Sequence, residues 1–227
     1  MKITVRDDID KYIAFFRDKT AEIGRLEVLP IYRKILYLVE VDTLSRAAFP
    51  SEKGHKTRVM KFLDECSNWN ERDRVSATHL ELSLEKNGKS SGLLFDLIND
   101  RINKCGTRID ASGDLTFEEV KNVACSDDLG IVDEARYAKL FYTYRNILIH
   151  EFREPGKSAI PSVDDLSPFS KAVEDASTGE ETWEFVFPVK FLARLCEGSI
   201  DGLEKYLIEN NQDPYDSYEF GTLWSRS

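Results

Sequence analysis

The segment IYRKILYLVEVDTL, residues 31–44, is the strongest indication of the fold. Drawn as a helix, it carries apolar side chains on nearly every side, and only a helix in the protein interior can bury such a surface. Pro30 suits the first turn of this helix, and Pro50 marks its end. The sequence therefore predicts a central helix over residues 30–49, around which the rest of the chain packs.

Apolar residues at helical spacing predict further helices on both sides of the central one. They cover residues 7–23, 55–66, 78–86, 92–104 and 132–153, with a small helix beginning at Phe117. Pro188 opens a last helical region that we expect to be interrupted near Gly198 and to resume at Ser199 as an N-cap. Alternation in WEFVF, residues 183–187, predicts a short strand, for which KITV, residues 2–5, is the candidate partner.

These elements predict a mainly α protein, a helical bundle with at most a short two-stranded β element near the termini. At 227 residues the chain is long enough for one substantial core. We expect a single domain over residues 1–227, with an irregular insertion at about 105–130 and a loop at about 155–182.

The composition is that of a globular protein, with 41% hydrophobic and 32% charged residues. Acidic residues outnumber basic ones by ten. This argues against a surface covered with phosphate-binding charge, although a local basic cleft remains compatible with it.

The chain shows neither a signal peptide nor a membrane-spanning stretch, and its four cysteines have no CxxC spacing. We therefore expect a cytoplasmic protein with free thiols, a disulfide framework being the less favoured alternative. Residues 113–119 echo half of a calcium loop, but Arg108 stands where its first Asp belongs. We expect no metal site and no cofactor.

The segment EARYAKLFYTYRNILIHEFREPG, residues 134–156, has two distinct faces. Its apolar stripe consists of Tyr137, Leu140, Phe141, Tyr144 and Leu148. A second, polar face consists of Tyr142, Asn146, Ile149, His150 and Arg153. Arg145 lies at the boundary, and its long side chain reaches the second face.

The polar face combines three groups that suit cleavage of a phosphodiester. The His150 imidazole can accept or give a proton near neutral pH. The Arg145 guanidinium can hold a phosphate while negative charge develops, and the Asn146 amide can position an oxygen. With no metal ligand set nearby, the 2′-hydroxyl of RNA would be the internal nucleophile, so DNA would not be a substrate.

Residues 145–150, RNILIH, match the R-N-x-x-x-H form of the R-x4-6-H motif, and the segment resembles the catalytic helix of the HEPN superfamily. The resemblance implies an all-helical bundle and a metal-independent endoribonuclease whose cleft forms between two subunits of a homodimer. It implies Arg145, Asn146 and His150 as catalytic residues, with Tyr142 and Arg153 as candidate substrate contacts. Many members are toxins of toxin–antitoxin pairs or phage-defence effectors, which implies an RNA substrate and an antitoxin or regulatory protein as partners.

Two less specific interpretations of the same face remain open. Arg145, His150 and Arg153 would also favour the dipole of an ordinary solvated helix end. Alternatively, the protein is a non-catalytic helical module that binds RNA or another protein through this face, since some family members have lost catalysis.

Other polar residues have weaker claims to function. We expect His55 and His79 to occupy polar surroundings without matched partners, Asp42 to pair with Arg46 one turn later, and Glu151 to form a salt bridge. The pair of Asp42 and Arg46 has a further, less favoured interpretation as a support beneath the cleft. The basic side chains of residues 55–61 could flank an RNA path, although a solvated charged face is more common.

Overall fold

The computed structural model describes residues 4–156, 164–174, 179 and 181–216. Helices dominate this part of the chain, which confirms the predicted mainly α class. The helices are α1 (Val5–Arg25), α2 (Pro30–Ala48), α3 (His55–Glu65), α4 (Ala77–Lys86), α5 (Leu93–Cys105), α6 (Phe117–Lys121), α7 (Leu129–Glu134), α8 (Tyr137–Glu151) and α9 (Val189–Asn210). The strands are β1 (Arg74–Val75), β2 (Arg108–Asp110), β3 (Leu115–Thr116), β4 (Phe169–Glu174) and β5 (Glu181–Val186).

Helix α2 is central, as its apolar sequence predicted. It contacts α1, α3, α8 and α9. Its buried apolar side chains are Tyr37, Leu38, Val41, Leu44, Ala47 and Ala48. Together with apolar residues of the four neighbouring helices they form the larger of two hydrophobic clusters.

The smaller hydrophobic cluster is built by β1, α4, α5, β3, α6 and α7. The predicted irregular insertion therefore shares a second core with β1, α4 and α5, and it contains β2, β3, α6 and the start of α7. Asp114 connects this region to the main bundle, because its buried carboxylate accepts from Tyr137 Oη at 2.8 Å and from the Ala77 amide at 2.8 Å.

The predicted strand at WEFVF is present as β5, but its partner differs from the expected one. β5 pairs antiparallel with β4, which pairs antiparallel with β2 in a three-stranded sheet. In the candidate partner KITV, Thr4 caps α1 and Val5 begins it, and residues 2 and 3 lie outside the described residues. The stretch expected to be a loop thus contains β4, while residues 157–163, 175–178 and 180 lie outside the described ranges.

The helix expected over residues 132–153 is divided into α7 and α8, so this prediction was wrong in its first part. At the division, Arg136 has an extended backbone, with φ −67° and ψ 144°. Ser76 N donates to Ala135 O at 3.0 Å, and Val75 forms a β-bridge with Arg136. Pairing with the chain before α4 therefore replaces the helical conformation at this point.

Helix α9 is continuous, whereas an interruption near Gly198 was predicted. Gly198 and Gly202 both lie within it. A Cβ at Gly202 would lie 2.0 Å from Cys66 O, and one at Gly198 would lie 3.0 Å from Ser67 O. The two glycines therefore allow close approach to the end of α3 rather than ending the helix.

No helix in the described ranges is both long enough and apolar enough to cross a membrane.

Candidate functional site

The predicted apolar face of α8 is present, but the predicted second face is present only in part, because Ile149 packs against the main core and Arg153 lies beyond the end of the helix. Tyr137, Phe141, Tyr144 and Leu148 are buried in the main core, and Leu140 is partly buried against it. On the second face, Tyr142 and Asn146 are half-buried and His150 is exposed. The polar groups therefore lie where α8 leaves the core.

Arg145 is held against α2 by an ion pair with Asp42. The Arg145 guanidinium donates through Nη2 to Asp42 Oδ2, and through Nη1 to Asn146 Oδ1 at 2.9 Å. The two charged side chains are only 11% and 16% exposed. The Arg145 side chain thus reaches the amide of Asn146, as expected. The expected pairing of Asp42 with Arg46 was wrong, because Asp42 faces α8 and Arg46 is exposed.

His55, at the first turn of α3, completes this cluster. Its Nδ1 lies 3.1 Å from Tyr142 Oη, and its Nε2 lies 3.4 Å from Asp42 Oδ1. Asp42 thus lies between Arg145 and His55, and the imidazole lies between Asp42 and Tyr142. We name this group of five residues from three helices the α2–α3–α8 cluster; its members are Asp42, His55, Tyr142, Arg145 and Asn146.

The environment of His55 disfavours its charged form. Burial lowers the pKa of the imidazole, and the positive charges of Arg145 and Arg58 act in the same direction, against the attraction of Asp42. At 36% exposure the ring is still reachable from solvent. His55 is therefore a partly exposed imidazole that favours the neutral form, the state in which a nitrogen lone pair can accept a proton.

The expectation that His55 lacks partners was wrong, and no local signal would have corrected it. His55 and Tyr142 are 87 positions apart in the sequence, and their contact follows from the packing of α3 on α8. Of the basic residues near His55, Lys56 pairs with Glu134 at 3.3 Å and Lys61 lies 4.2 Å from the centre of the Phe49 ring.

His150 and Arg153 lie outside the cluster. His150, in the last turn of α8, is exposed and forms no hydrogen bond or ion pair with any residue that the structure describes. Arg153 follows the left-handed residue Phe152 and pairs with Glu151 at 2.6 Å, which confirms the salt bridge expected for Glu151. The structure thus brings together Tyr142, Arg145 and Asn146, and it places His150 one turn beyond Asn146.

His79, predicted in polar surroundings, instead lines a cavity of 200 Å³ beside α8, β5 and residues 155–156. Its ring contacts Phe185 edge to face, with ring centres 5.7 Å apart, and burial lowers its pKa to about 4. Because α8 contributes Leu140, Thr143 and Ile147 to this cavity, it lies on another side of the helix from the α2–α3–α8 cluster.

Within the described ranges, no group of three or more His, Cys, Asp or Glu side chains is arranged to hold a metal ion. The chain matches no family model, no curated protein and no solved structure. Its function must therefore be argued from its own side chains.

Proposed function

We propose that this protein is a HEPN-type endoribonuclease that cleaves RNA by attack of the 2′-hydroxyl on the adjacent phosphate, without a metal ion. The observation that carries the proposal is the fixed guanidinium of Arg145, joined to Asn146 and one helical turn from an exposed imidazole, His150. A phosphate group, a proton donor and an orienting amide can meet on this face of α8.

Asp42 fixes the position of the guanidinium in this arrangement. A guanidinium has five N–H groups. The two hydrogen bonds use one at Nη1 and one at Nη2, and Nε is buried, so the second N–H of Nη1 and of Nη2 are the ones left for the oxygens of a phosphate. Arg145 stabilises the charge that develops on the phosphate, Asn146 orients it, and His150 transfers a proton. Tyr142 and Arg153 are the proposed additional contacts to RNA. The expected products are a 2′,3′-cyclic phosphate and a 5′-hydroxyl.

An exposed apolar stripe on α2 supports a homodimer as the active form. The stripe comprises Leu29, Tyr32, Leu36 and Val39. Phe152, just beyond α8, extends it, its ring centre 5.7 Å from that of Tyr32. Because Asp42 follows Val39 on the same helix, a second copy packed on the stripe would bring two α2–α3–α8 clusters near each other. An unregulated ribonuclease in the cytoplasm would damage the cell's own RNA, so the proposal includes an antitoxin or other regulatory protein.

The test is incubation of the purified protein with a defined single-stranded RNA in excess EDTA. We expect cleavage to a 2′,3′-cyclic phosphate, and no cleavage of the DNA of the same sequence. His150→Ala should lower the cleavage rate about 100-fold or more through loss of proton transfer. Because His150 is exposed, this variant should fold normally.

Glu209→Ala is the control, since it also removes an exposed side chain near the end of a helix, and its only described pair is with Lys205 on α9, outside the proposed site. It should keep nearly the full rate. Equal rates for the wild type and His150→Ala would reject the assignment of the site. A folded wild type that binds the RNA and never cuts it would instead identify the alternative, a non-catalytic binding module.

A further inference from the structure

Tyr142, Asn146 and His150 follow one another on α8 at intervals of four residues. With a helical rise of about 1.5 Å per residue, Tyr142 and His150 lie about 6 Å along the axis on opposite sides of Asn146. Arg145 donates to Asn146 at the middle of this row. A phosphate held by these two residues would therefore have Tyr142 on one side and His150 on the other.

Cleavage through the 2′-hydroxyl needs two proton transfers at opposite ends of the reacting phosphate. The attacking oxygen loses a proton, and the leaving oxygen, in line across the phosphorus, gains one. Within one subunit the RNILIH motif supplies a single imidazole, His150. The opposite end of the row is Tyr142, and the partner of its phenol is His55.

The polar groups around His55 favour one ring nitrogen as the proton acceptor. The Asp42 carboxylate lies 3.4 Å from Nε2 without a hydrogen bond between them, and its negative charge favours an N–H at that nitrogen. Nδ1 is then left with its lone pair and accepts from the phenolic O–H of Tyr142, at 3.1 Å. The three groups thus form a row in which the His55 imidazole lies between the Asp42 carboxylate and the Tyr142 hydroxyl.

We propose that Asp42, His55 and Tyr142 form a proton-accepting relay for the ribonuclease reaction, in which Tyr142 contacts the 2′-hydroxyl and His55 holds the proton that is removed. The relay rests on the proposed ribonuclease function and adds its missing base. His55 acts through Tyr142, and Asp42 orients His55 while also holding Arg145.

In this step O2′ loses a proton and O5′ gains one. Tyr142 Oη takes the proton of the 2′-hydroxyl and passes its own phenolic proton to His55 Nδ1. The bond from O2′ to phosphorus forms, the bond from phosphorus to O5′ breaks, and His150 in its protonated form gives its proton to O5′. The imidazolium at His55 is stabilised by the Asp42 carboxylate, and exchange with water restores both histidines.

The charges that face His55, together with its burial, favour the neutral imidazole, which can accept a proton. Burial has the largest effect and lowers the pKa of the imidazole. Arg145 on α8 and Arg58 on α3 also lower it, whereas Asp42 on α2 raises it. Tyr142 is the titratable partner from α8. The imidazole is consequently less charged than an ordinary histidine at the same pH.

The pH dependence of kcat/KM for RNA cleavage tests the relay. The wild type should lose activity at acid pH as His55 becomes protonated. His55→Gln, which can still hydrogen-bond to both neighbours, should lower kcat/KM roughly 100-fold and abolish the acid limb. Tyr142→Phe should also lower kcat/KM, since it removes the hydroxyl that contacts the substrate.

Arg58→Gln separates a proton-transfer role from a structural one. Removing a positive charge that faces His55 should raise its pKa and move the acid limb to higher pH. Lys56→Gln is the matched control, because this cation pairs with Glu134 and is not among the charges that shift the pKa of His55, so the limb should stay in place. Imidazole ¹⁵N NMR of the wild type should show hydrogen on Nε2 of His55 and none on Nδ1 at neutral pH.

The outcomes distinguish the relay from the function on which it rests. Cleavage that depends on His150 but is unchanged in rate and acid limb by His55→Gln would overturn the relay alone, as would a hydrogen found on His55 Nδ1. A wild type that leaves RNA intact would overturn both.

Discussion

Among individual residues, Lys34 and Glu40 of α2 are two buried charged side chains in contrasting environments. Lys34 Nζ donates to Glu154 Oε2 at 2.9 Å and to Tyr144 Oη at 3.1 Å, so its charge is paired. Glu40 Oε1 accepts from Thr20 Oγ1 at 2.5 Å, and no cation pairs with it in the described part of the chain. Burial therefore raises the pKa of Glu40 to about 7.

Glu40→Gln should change how stability depends on pH. Because the pKa of Glu40 rises from 4.5 to about 7 on folding, the folded state binds more protons between these values. The free energy of unfolding of the wild type should therefore fall as pH rises through this window. Urea unfolding at several pH values measures this decrease in the free energy of unfolding. The decrease should be about 3 kcal/mol smaller in Glu40→Gln than in the wild type.

The comparison must use the difference between the two proteins. Asp114 is also buried, and its pKa of about 6 gives a fall of the same sign in both the wild type and the variant. Parallel stability curves for the two proteins would show that Glu40 is not the residue that titrates in this window.

At the scale of elements, close contact between the end of α3 and α9 depends on two glycines in α9. The Cβ positions at Gly198 and Gly202 meet backbone atoms of residues 66 and 67, which cannot rotate away as a side chain can. Glycine within a helix is unfavourable by itself, so these residues are explained by helix packing.

Gly202→Ala should destabilise the protein by about 3 kcal/mol or more, since its Cβ would lie 2.0 Å from Cys66 O and the helices must separate. Gly198→Ala, with a 3.0 Å approach to Ser67 O, should have a smaller effect in the same direction. Thermal unfolding followed by circular dichroism measures both.

Gly130→Ala is the matched control, because Gly130 is helical and, apart from its own helix backbone and chain neighbours, no described atom lies within 4 Å of an added Cβ. This variant should be as stable as the wild type or slightly more stable. Equal stability of Gly202→Ala and Gly130→Ala would contradict the proposed role of Gly202 in packing.

At the scale of the whole molecule, the α2 stripe is the surface through which we propose that two copies associate. Its side chains are exposed, whereas the opposite side of α2 lies in the main core. This distribution explains why the central helix appears apolar on nearly every side in the sequence. A second copy would cover the part that the chain's own fold leaves in water.

Leu36→Glu should weaken dimerisation by on the order of 100-fold or more, because a charge would be buried at the centre of the interface. Sedimentation velocity over a range of concentrations measures the change, and cleavage activity should fall with the dimer. Leu82→Glu, at another exposed leucine on α4, should leave the association unchanged. A wild type that stays monomeric at high concentration would contradict the proposed dimer.

Sequence pattern was sufficient to predict the mainly α class, the central position of α2 and the apolar face of α8. Each of these depends on the spacing of residues a few positions apart, which a helix converts directly into a face. The proximity of Arg145 to Asn146 is of the same kind, because the two are neighbours in the chain.

Long-range packing brings Asp42 to Arg145 across 103 positions and His55 to Tyr142. It also decided the division between α7 and α8 and the pairing of β5 with β4. In each case the partner comes from a distant part of the chain. The spacing of residues along the chain predicts which side of an element is polar. The residues that this side contacts depend on the packing of the helices and strands.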